Sequence, residues 1–204
     1  MPPPTLLQIA LPTIAYLAGS VPFGLLLARR FSRVDLRRTG SGNIGATNVA
    51  RAAGPVLGLA TLAADVLKAF LPVWAAAAWT GSPEAPLAAA VAAVLGHTYP
   101  IYSRFHGGGK GVATTLGGFL VIAPQAVLWA ALVFLAGALV SRRASVGSLA
   151  AALALPVAVV ATTGAWMAAA GAAATATLIF VRHADNIRRL RAGTEPAFRF
   201  GRKP

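Results

Sequence analysis

Seven apolar stretches, roughly 6–28, 52–79, 86–103, 111–123, 124–141, 146–160 and 164–181, fill most of the 204 residues, and Pro, Gly or charge separates most neighbours. Apolar residues make up 57% of the chain and charged residues 11%, against about 45–50% and about 25% in ordinary soluble chains, so this chain is built for lipid. In hydrocarbon a backbone has no water to bond, and a helix satisfies every N–H and C=O within its own segment. The fold class expected is therefore an all-α integral membrane protein of seven transmembrane helices, one polytopic domain over 1–204. A span needs about 20 residues, so the fourth and sixth stretches look short and need shelter from neighbouring helices.

Charge placement supports the count. The connections at 29–51, 104–110 and 141–145 and the tail at 182–204 hold every Arg and Lys except Lys68, whereas the N-terminus, 80–85, the 122–125 junction and 161–163 hold none. By the positive-inside rule the N-terminus lies outside, the C-terminus is cytoplasmic and all the basic loops share the cytoplasmic face. A net charge of +13 would suggest nucleic acid in a soluble protein. Here positive-inside bias and attraction to anionic lipid account for it, so membrane lipid is expected as a partner and nucleic acid is not. The first stretch lacks a basic n-region and an A-x-A cleavage site, and is expected to remain as a helix.

With no cysteine, disulfides, thiolate metal sites and a cysteinyl acyl-enzyme are excluded. Asp35, Asp65, Glu84, Asp185 and Glu195 are the whole complement of carboxylates. They are too dispersed for the Asp clusters that hold Mg²⁺, so neither a metal nor another cofactor is expected. Ala, Gly, Ser and Thr, dense in 58–64 and 168–177, would let helix backbones approach closely, although a general alanine bias would give the same composition. No internal repeat of the kind common in transporters is visible.

Two basic loops are rich in glycine. The first reads Gly40-Ser41-Gly42-Asn43-Ile44-Gly45-Ala46-Thr47-Asn48-Val49-Ala50-Arg51. Its G-x-G-x-x-G is no dinucleotide fingerprint, because membrane helices rather than a βαβ unit flank it. What remains is physical. Glycines admit close backbone approach, Ser41, Asn43, Thr47 and Asn48 offer hydrogen bonds, and Arg51 can grip a phosphate with two parallel bonds. A helix starting near Ala46 would add free N–H groups and a favourable dipole. The alternative is a solvated turn with a topology charge.

The second loop runs from His97-Thr98-Tyr99-Pro100 to Arg104-Phe105-His106-Gly107-Gly108-Gly109-Lys110-Gly111-Val112-Ala113-Thr114. Glycine after Lys110 rules out a Walker A motif, but a glycine run can form an anion-binding nest to which Lys110 adds a point charge. The same run could serve only as a hinge. His97 reads as a helix-end histidine and His106 as a loop residue near headgroups. Arg142 and Arg143 read as topology charges, and Ser145 and Ser148 as helix caps or anion ligands. His183 and Asn186 would share a face if the last helix continues through Arg182 to Glu195, and a histidine near a phosphate can act as acid, base or ligand. The other reading of that segment is a basic amphipathic tail on the membrane surface. Asp65 and Lys68, three apart inside an apolar stretch, read as a structural ion pair.

Together the strings at Gly40–Arg51, Gly96–Thr114 and His183–Glu195, with Asp65 and Lys68 as a fourth echo, resemble the PlsY family, bacterial membrane acyltransferases that use acyl phosphate to acylate sn-glycerol 3-phosphate. They fall in the family's order across nearly the whole chain, with three glycines before Lys110 where two are common and His106 where a basic residue is usual. The resemblance implies seven helices with a cytoplasmic active site in the bacterial inner membrane. It also implies transfer of a fatty acyl group to the 1-hydroxyl of glycerol 3-phosphate, with lysophosphatidic acid and phosphate as products. The positions it assigns to the site are Ser41, Lys110 and His183 for catalysis, and Asn43, Gly45, Thr47, Asn48, Arg51, Gly108, Gly109, Ser148 and Asn186 for substrate binding. These lie on the loops 29–51, 104–110, 141–148 and 182–195, and a monomer is expected to suffice. Acyl phosphate is a reactive anhydride, so positioning and oxyanion stabilisation dominate the work, and a substrate phosphate is favoured over His183 as proton acceptor. No His is followed by Asp in the H-x-x-x-x-D spacing of soluble-type glycerophosphate acyltransferases. The competing class is an organic-phosphate transporter or channel, for which the outer loops offer only Glu84 as a charge.

Overall fold

The structure, a computed structural model, describes residues 6–197. The tail charges Arg199, Arg202 and Lys203 lie outside the described residues. Ten α-helices and one 3₁₀ turn make up the regular structure, with no β-strand among the described residues. The chain divides into two compact units, Met1–Pro124 and Gln125–Pro204.

In the first unit α1 (Leu6–Ser20) and α2 (Phe23–Phe31) form one apolar span of 26 residues interrupted at Val21-Pro22. Pro22 has no N–H to continue the ladder. The chain bridges the gap with a tighter bond from Val21 N to the Ala18 carbonyl at 3.1 Å and resumes with Leu26 N on the Pro22 carbonyl at 3.1 Å. The expected second helix is divided as well. A short α3 (Ala46–Ala53) ends at Gly54, whose φ of +97° suits glycine alone, and the long α4 (Pro55–Thr80) opens with proline at its first position.

α5 (Glu84–Thr98) stops short of the expected 103, because Pro100 withdraws a donor and biases Tyr99 towards extended backbone. A 3₁₀ turn (Ile101–Ser103) follows, and α6 (Val112–Ile122) is short, with 11 residues. α1 and α5 pack backbone against backbone. A Cβ on Gly19 would fall on the Ala93 carbonyl, and one on Gly96 on the Tyr16 carbonyl. Leu11, Ala15, Val73, Ala76, Ala89 and Ala93 fill the core that results.

The second unit holds α7 (Pro124–Ser141), α8 (Ala144–Thr163), α9 (Trp166–Arg182) and α10 (Ala184–Arg191). α8 corrects the expectation of a short sixth helix, since it runs for 20 residues. Thr162 and Thr163 fold their hydroxyls back onto the Ala158 and Val159 carbonyls at 2.7 Å each, which lets polar residues finish a helix in apolar surroundings. α7 and α8 approach at Gly147, where a Cβ would meet the Phe134 carbonyl.

By length and composition the Leu6–Phe31, α4, α7 and α8 segments can each cross a bilayer, and α9 with α10 makes a fifth if their 58° bend belongs to one span. Large apolar side chains such as Leu71, Trp79, Leu139, Val140 and Trp166 are exposed, a surface suited to lipid.

Candidate active site

The first glycine-rich loop is organised by Asn48, which is only 2% exposed. Its Oδ1 accepts from Ser41 N at 2.9 Å, and its Nδ2 donates to the carbonyls of Asn43 (2.8 Å), Thr39 (3.0 Å) and Leu36 (3.3 Å). Asn43 closes a smaller turn, its Oδ1 accepting from Gly45 N at 2.8 Å. The result is a loop wrapped around one buried amide. Gly45 caps α3, which begins at Ala46 as the anion reading requires. Thr47 and Arg51 are both exposed and, four residues apart, lie on one face of α3, while Ser41 is half-buried.

The second loop lies across the end of α5. Gly109 N donates to the His97 carbonyl at 2.9 Å. A Cβ on Gly109 would overlap the His97 imidazole at Nε2, and one on Gly108 would overlap the Thr98 carbonyl. Glycine is therefore required at both positions by close approach. Lys110 follows, half-buried, and Gly111 caps α6 in the left-handed region at φ +87°. The Thr114 and Thr115 hydroxyls, in the first turns of α6, are buried without a hydrogen-bond partner among the described residues. Arg37, which the sequence reading did not select, borders the same glycine run: a Cβ on Gly107 would stand 2.9 Å from its guanidinium Nη2.

Asp65 and Lys68 form the expected ion pair at 2.8 Å, both side chains under 5% exposed. The Lys68 ammonium also donates to the Val21 carbonyl at 3.0 Å and meets His97 Nδ1 at 2.8 Å. Asp65 Oδ1 is held by charge and accepts no aligned hydrogen bond among the described residues.

In the second unit the last helix does not run straight through its basic string. α9 ends at Arg182, and the turn at His183 bends the path by 58° into α10. The shared-face expectation for His183 and Asn186 on one continuous helix is thus corrected. His183 stands at the junction, 2% exposed, with Nδ1 2.7 Å from the Ile179 carbonyl, and Asn186 is buried in the first turn of α10. In the neutral imidazole that contact makes Nδ1 the protonated atom.

Glu195, which sequence reasoning placed only as the end of the string, is the hub of this unit. It accepts from Asn186 Nδ2 at 2.6 Å and from Arg189 Nε at 2.7 Å, and its main-chain carbonyl accepts from Arg143 Nε at 3.1 Å. Burial opposes its charge, but the Ser145, Asn186 and Arg189 groups around it outweigh burial and hold its carboxyl below the usual range. Ser145 and Ser148 are both buried inside α8, whose cap position belongs to Arg143, so neither serine caps it. Arg143 in turn does more than mark topology.

Within the first unit, then, Ser41, Asn43, Gly45 and Asn48 share one loop with Thr47 and Arg51 on the helix it opens, and Gly108, Gly109 and Lys110 sit on the α5–α6 connection. Within the second, His183 and Asn186 flank one bend and Ser148 lies on α8. The family model described as Glycerol-3-phosphate acyltransferase matches residues 9–193. The chain is 45% identical over 192 residues to a glycerol-3-phosphate acyltransferase of Geobacter sulfurreducens, covering 94% of this chain and 98% of the relative. It is 49% identical over 193 residues to one from Myxococcus xanthus, covering 93% and 98%. The crystal structure of PlsY (YgiH), an integral membrane glycerol 3-phosphate acyltransferase, in its glycerol 3-phosphate form superposes with a TM-score of 0.88 at 38% identity, covering 94% of this chain and 95% of that one. Its lysophosphatidic acid form gives 0.86 at 37% identity with the same coverage. With the three polar strings in order and this agreement over almost the full length, the chain belongs to the PlsY family of glycerol-3-phosphate acyltransferases.

Proposed function

We propose that this protein transfers a fatty acyl group from acyl phosphate to the 1-hydroxyl of sn-glycerol 3-phosphate. The products are lysophosphatidic acid and inorganic phosphate, the entry to phospholipid synthesis at the bacterial inner membrane. The reading includes seven crossings with the N-terminus outside and the basic loops in the cytoplasm. The reading of acceptor and product is supported by the solved relative, whose two structures are described as its glycerol 3-phosphate form and its lysophosphatidic acid form. The observation that carries the donor is the Lys110 loop: glycine backbone, a half-buried ammonium and the α6 N-terminus come together as an anion cradle, and the chain has no thiol for an acyl-enzyme.

Ser41 and Lys110 are assigned to the acyl-phosphate phosphate and to the oxyanion that forms as the carbonyl is attacked, with Gly108 and Gly109 shaping the backbone that presents Lys110. Arg51, Ser148, His183 and Asn186 are assigned to glycerol 3-phosphate. Asn43, Gly45 and Asn48 shape the first loop, and Thr47 shares its exposed face with Arg51. The 1-hydroxyl oxygen bonds to the acyl carbon, the carbon–oxygen bond to phosphate breaks, and the hydroxyl proton passes to a phosphate oxygen of substrate. This suits His183, whose Nδ1 partner is a main-chain carbonyl and not a carboxylate. The single chain suffices for every assigned role, so a monomer is the working unit.

The test is product formation by the purified protein in lipid nanodiscs given glycerol 3-phosphate and either acyl phosphate or acyl-CoA. Phosphate release with lysophosphatidic acid from acyl phosphate alone is expected, and Lys110→Ala should lose about 100-fold in kcat/KM. Turnover with acyl-CoA and none with acyl phosphate would overturn the donor assignment.

A further inference from the structure

An ion pair inside an apolar helix needs an explanation, because a buried pair seldom stabilises a fold better than apolar residues of the same size would. Asp65 and Lys68 are 3% and 6% exposed. Their surroundings supply a reason. Lys68 pairs by charge with Asp65 Oδ1 at 2.8 Å, donates to the Val21 carbonyl and meets His97 Nδ1. An ammonium cannot accept, so Nδ1 must, and the neutral imidazole then carries its hydrogen on Nε2. Nε2 is the edge of the ring that faces Gly109, so closely that no Cβ fits there. The main chain of His97 holds the same glycine through Gly109 N at 2.9 Å. Both parts of one residue thus seat the position immediately before Lys110.

We propose that Asp65, Lys68 and His97 are positioning residues for the acyl-phosphate loop: the ion pair fixes the His97 ring, and the ring fixes the height and path of Gly108-Gly109-Lys110. This rests on the reading of Lys110 as a phosphate ligand. The inference explains three features together. The membrane-buried charges stay because Asp65 keeps Lys68 an ammonium, which cannot accept, His97 stays at the end of α5, and glycine is required at 109 by the ring beneath it. The intramembrane pair therefore acts on substrate binding through the loop, without touching substrate.

The test uses the full-length protein in nanodiscs with two variants. Asp65→Leu/Lys68→Met removes both charges at once and leaves no unpaired ion. His97→Phe keeps a ring against Gly109 but offers Lys68 no acceptor. In each, KM for acyl phosphate should rise about tenfold or more while kcat holds within about threefold and the melting temperature stays near wild type, a split that a mere clamp between helices would not give. Wild-type KM in either folded variant would overturn the proposal. So would losses in kcat and KM that follow the melting temperature, or failure of both variants to fold, which would assign the network to stability. Lys110→Ala separates the two readings. If it leaves KM for acyl phosphate unchanged, the phosphate assignment itself fails. If it raises KM and neither network variant does, the positioning role alone fails.

Discussion

Asn48→Ala is the sharpest test of how the first loop is built. The substitution removes an acceptor from Ser41 N–H and a donor from three carbonyls, in a side chain 2% exposed. Nδ2 has two hydrogens for three carbonyls, so one of them is shared. Carbonyls also tolerate the loss better than N–H groups do, and those of Thr39 and Asn43 belong to half-buried residues that water can reach. That leaves about two groups without compensation, the Ser41 N–H and the Leu36 carbonyl. At about 1–2 kcal/mol each, the lower part of the range for an unsatisfied buried group because the loop can relax, the ordered loop loses about 2–4 kcal/mol relative to opened forms. With about 1.4 kcal/mol per decade, kcat/KM should fall about 30- to 1,000-fold. The melting temperature should move little, because these bonds lie in one loop and not in the α1–α5 core. Asn48→Asp should be worse than alanine, since it sets a carboxylate oxygen against carbonyl oxygens. Steady-state kinetics beside thermal unfolding in nanodiscs reads both quantities. An alanine variant within about threefold of wild-type kcat/KM, or an aspartate variant more active than alanine, would refute the loop account.

Gly109→Ala should cost about 2 kcal/mol of loop strain and lower kcat/KM about 30-fold, measured by the same kinetics, because its Cβ meets the His97 ring. Glu195→Gln keeps a partner for Asn186 but loses the Arg189 ion pair; with Arg189 about one-third exposed, the loss should be about 1–2 kcal/mol, seen as a lower melting temperature. The lowered Glu195 pKa contributes stability that is complete above about 4.5 and disappears as pH falls through the folded-state value, so Glu195→Gln should flatten the acid limb of a melting-temperature profile. For His183→Gln, KM for glycerol 3-phosphate should rise while kcat holds within about threefold, and a kcat loss that grows with pH would instead establish His183 as the base.

Helices were legible wherever apolar residues ran on, but the breaks at Pro100 and Gly54 were read through, because apolar residues continue on both sides of each. The misreading of α8 has a particular cause. Thr162 and Thr163 look like loop residues, yet each satisfies its hydroxyl on the helix it belongs to. The bend at His183 was hidden for the opposite reason, since Arg182 to Arg191 contains no breaker and reads as continuous helix. At the site, contiguous strings were visible and contacts between distant residues were not. Lys68 and His97 are 29 positions apart, Arg143 and Glu195 52 apart, and Arg37 reaches Gly107 from another loop. Asn48 shows a further limit. A buried amide that organises a loop and an exposed one that binds a ligand have the same letter, and only the closed set of hydrogen bonds tells them apart.

The interruptions in the helices and the polar strings are one phenomenon. A backbone broken at membrane depth must have its freed groups satisfied by protein, since lipid offers no partner, and buried loop backbone outside the bilayer is under the same demand. The break at Val21-Pro22 exposes a carbonyl and Lys68 takes it; the coil before α3 exposes a set of carbonyls and Asn48 takes three. At the α9–α10 bend the His183 ring takes the Ile179 carbonyl, and at the α7–α8 turn Arg143 reaches the Glu195 carbonyl. Each of these side chains is polar where the backbone it serves is irregular, and glycine or a bend makes the same backbone open to the proposed phosphate. A substitution that made any of these places more helical would remove the need for its polar partner. Polar residues in this chain are therefore concentrated where continuous helix would be the more stable choice, and the proposed phosphate binding would offset giving it up.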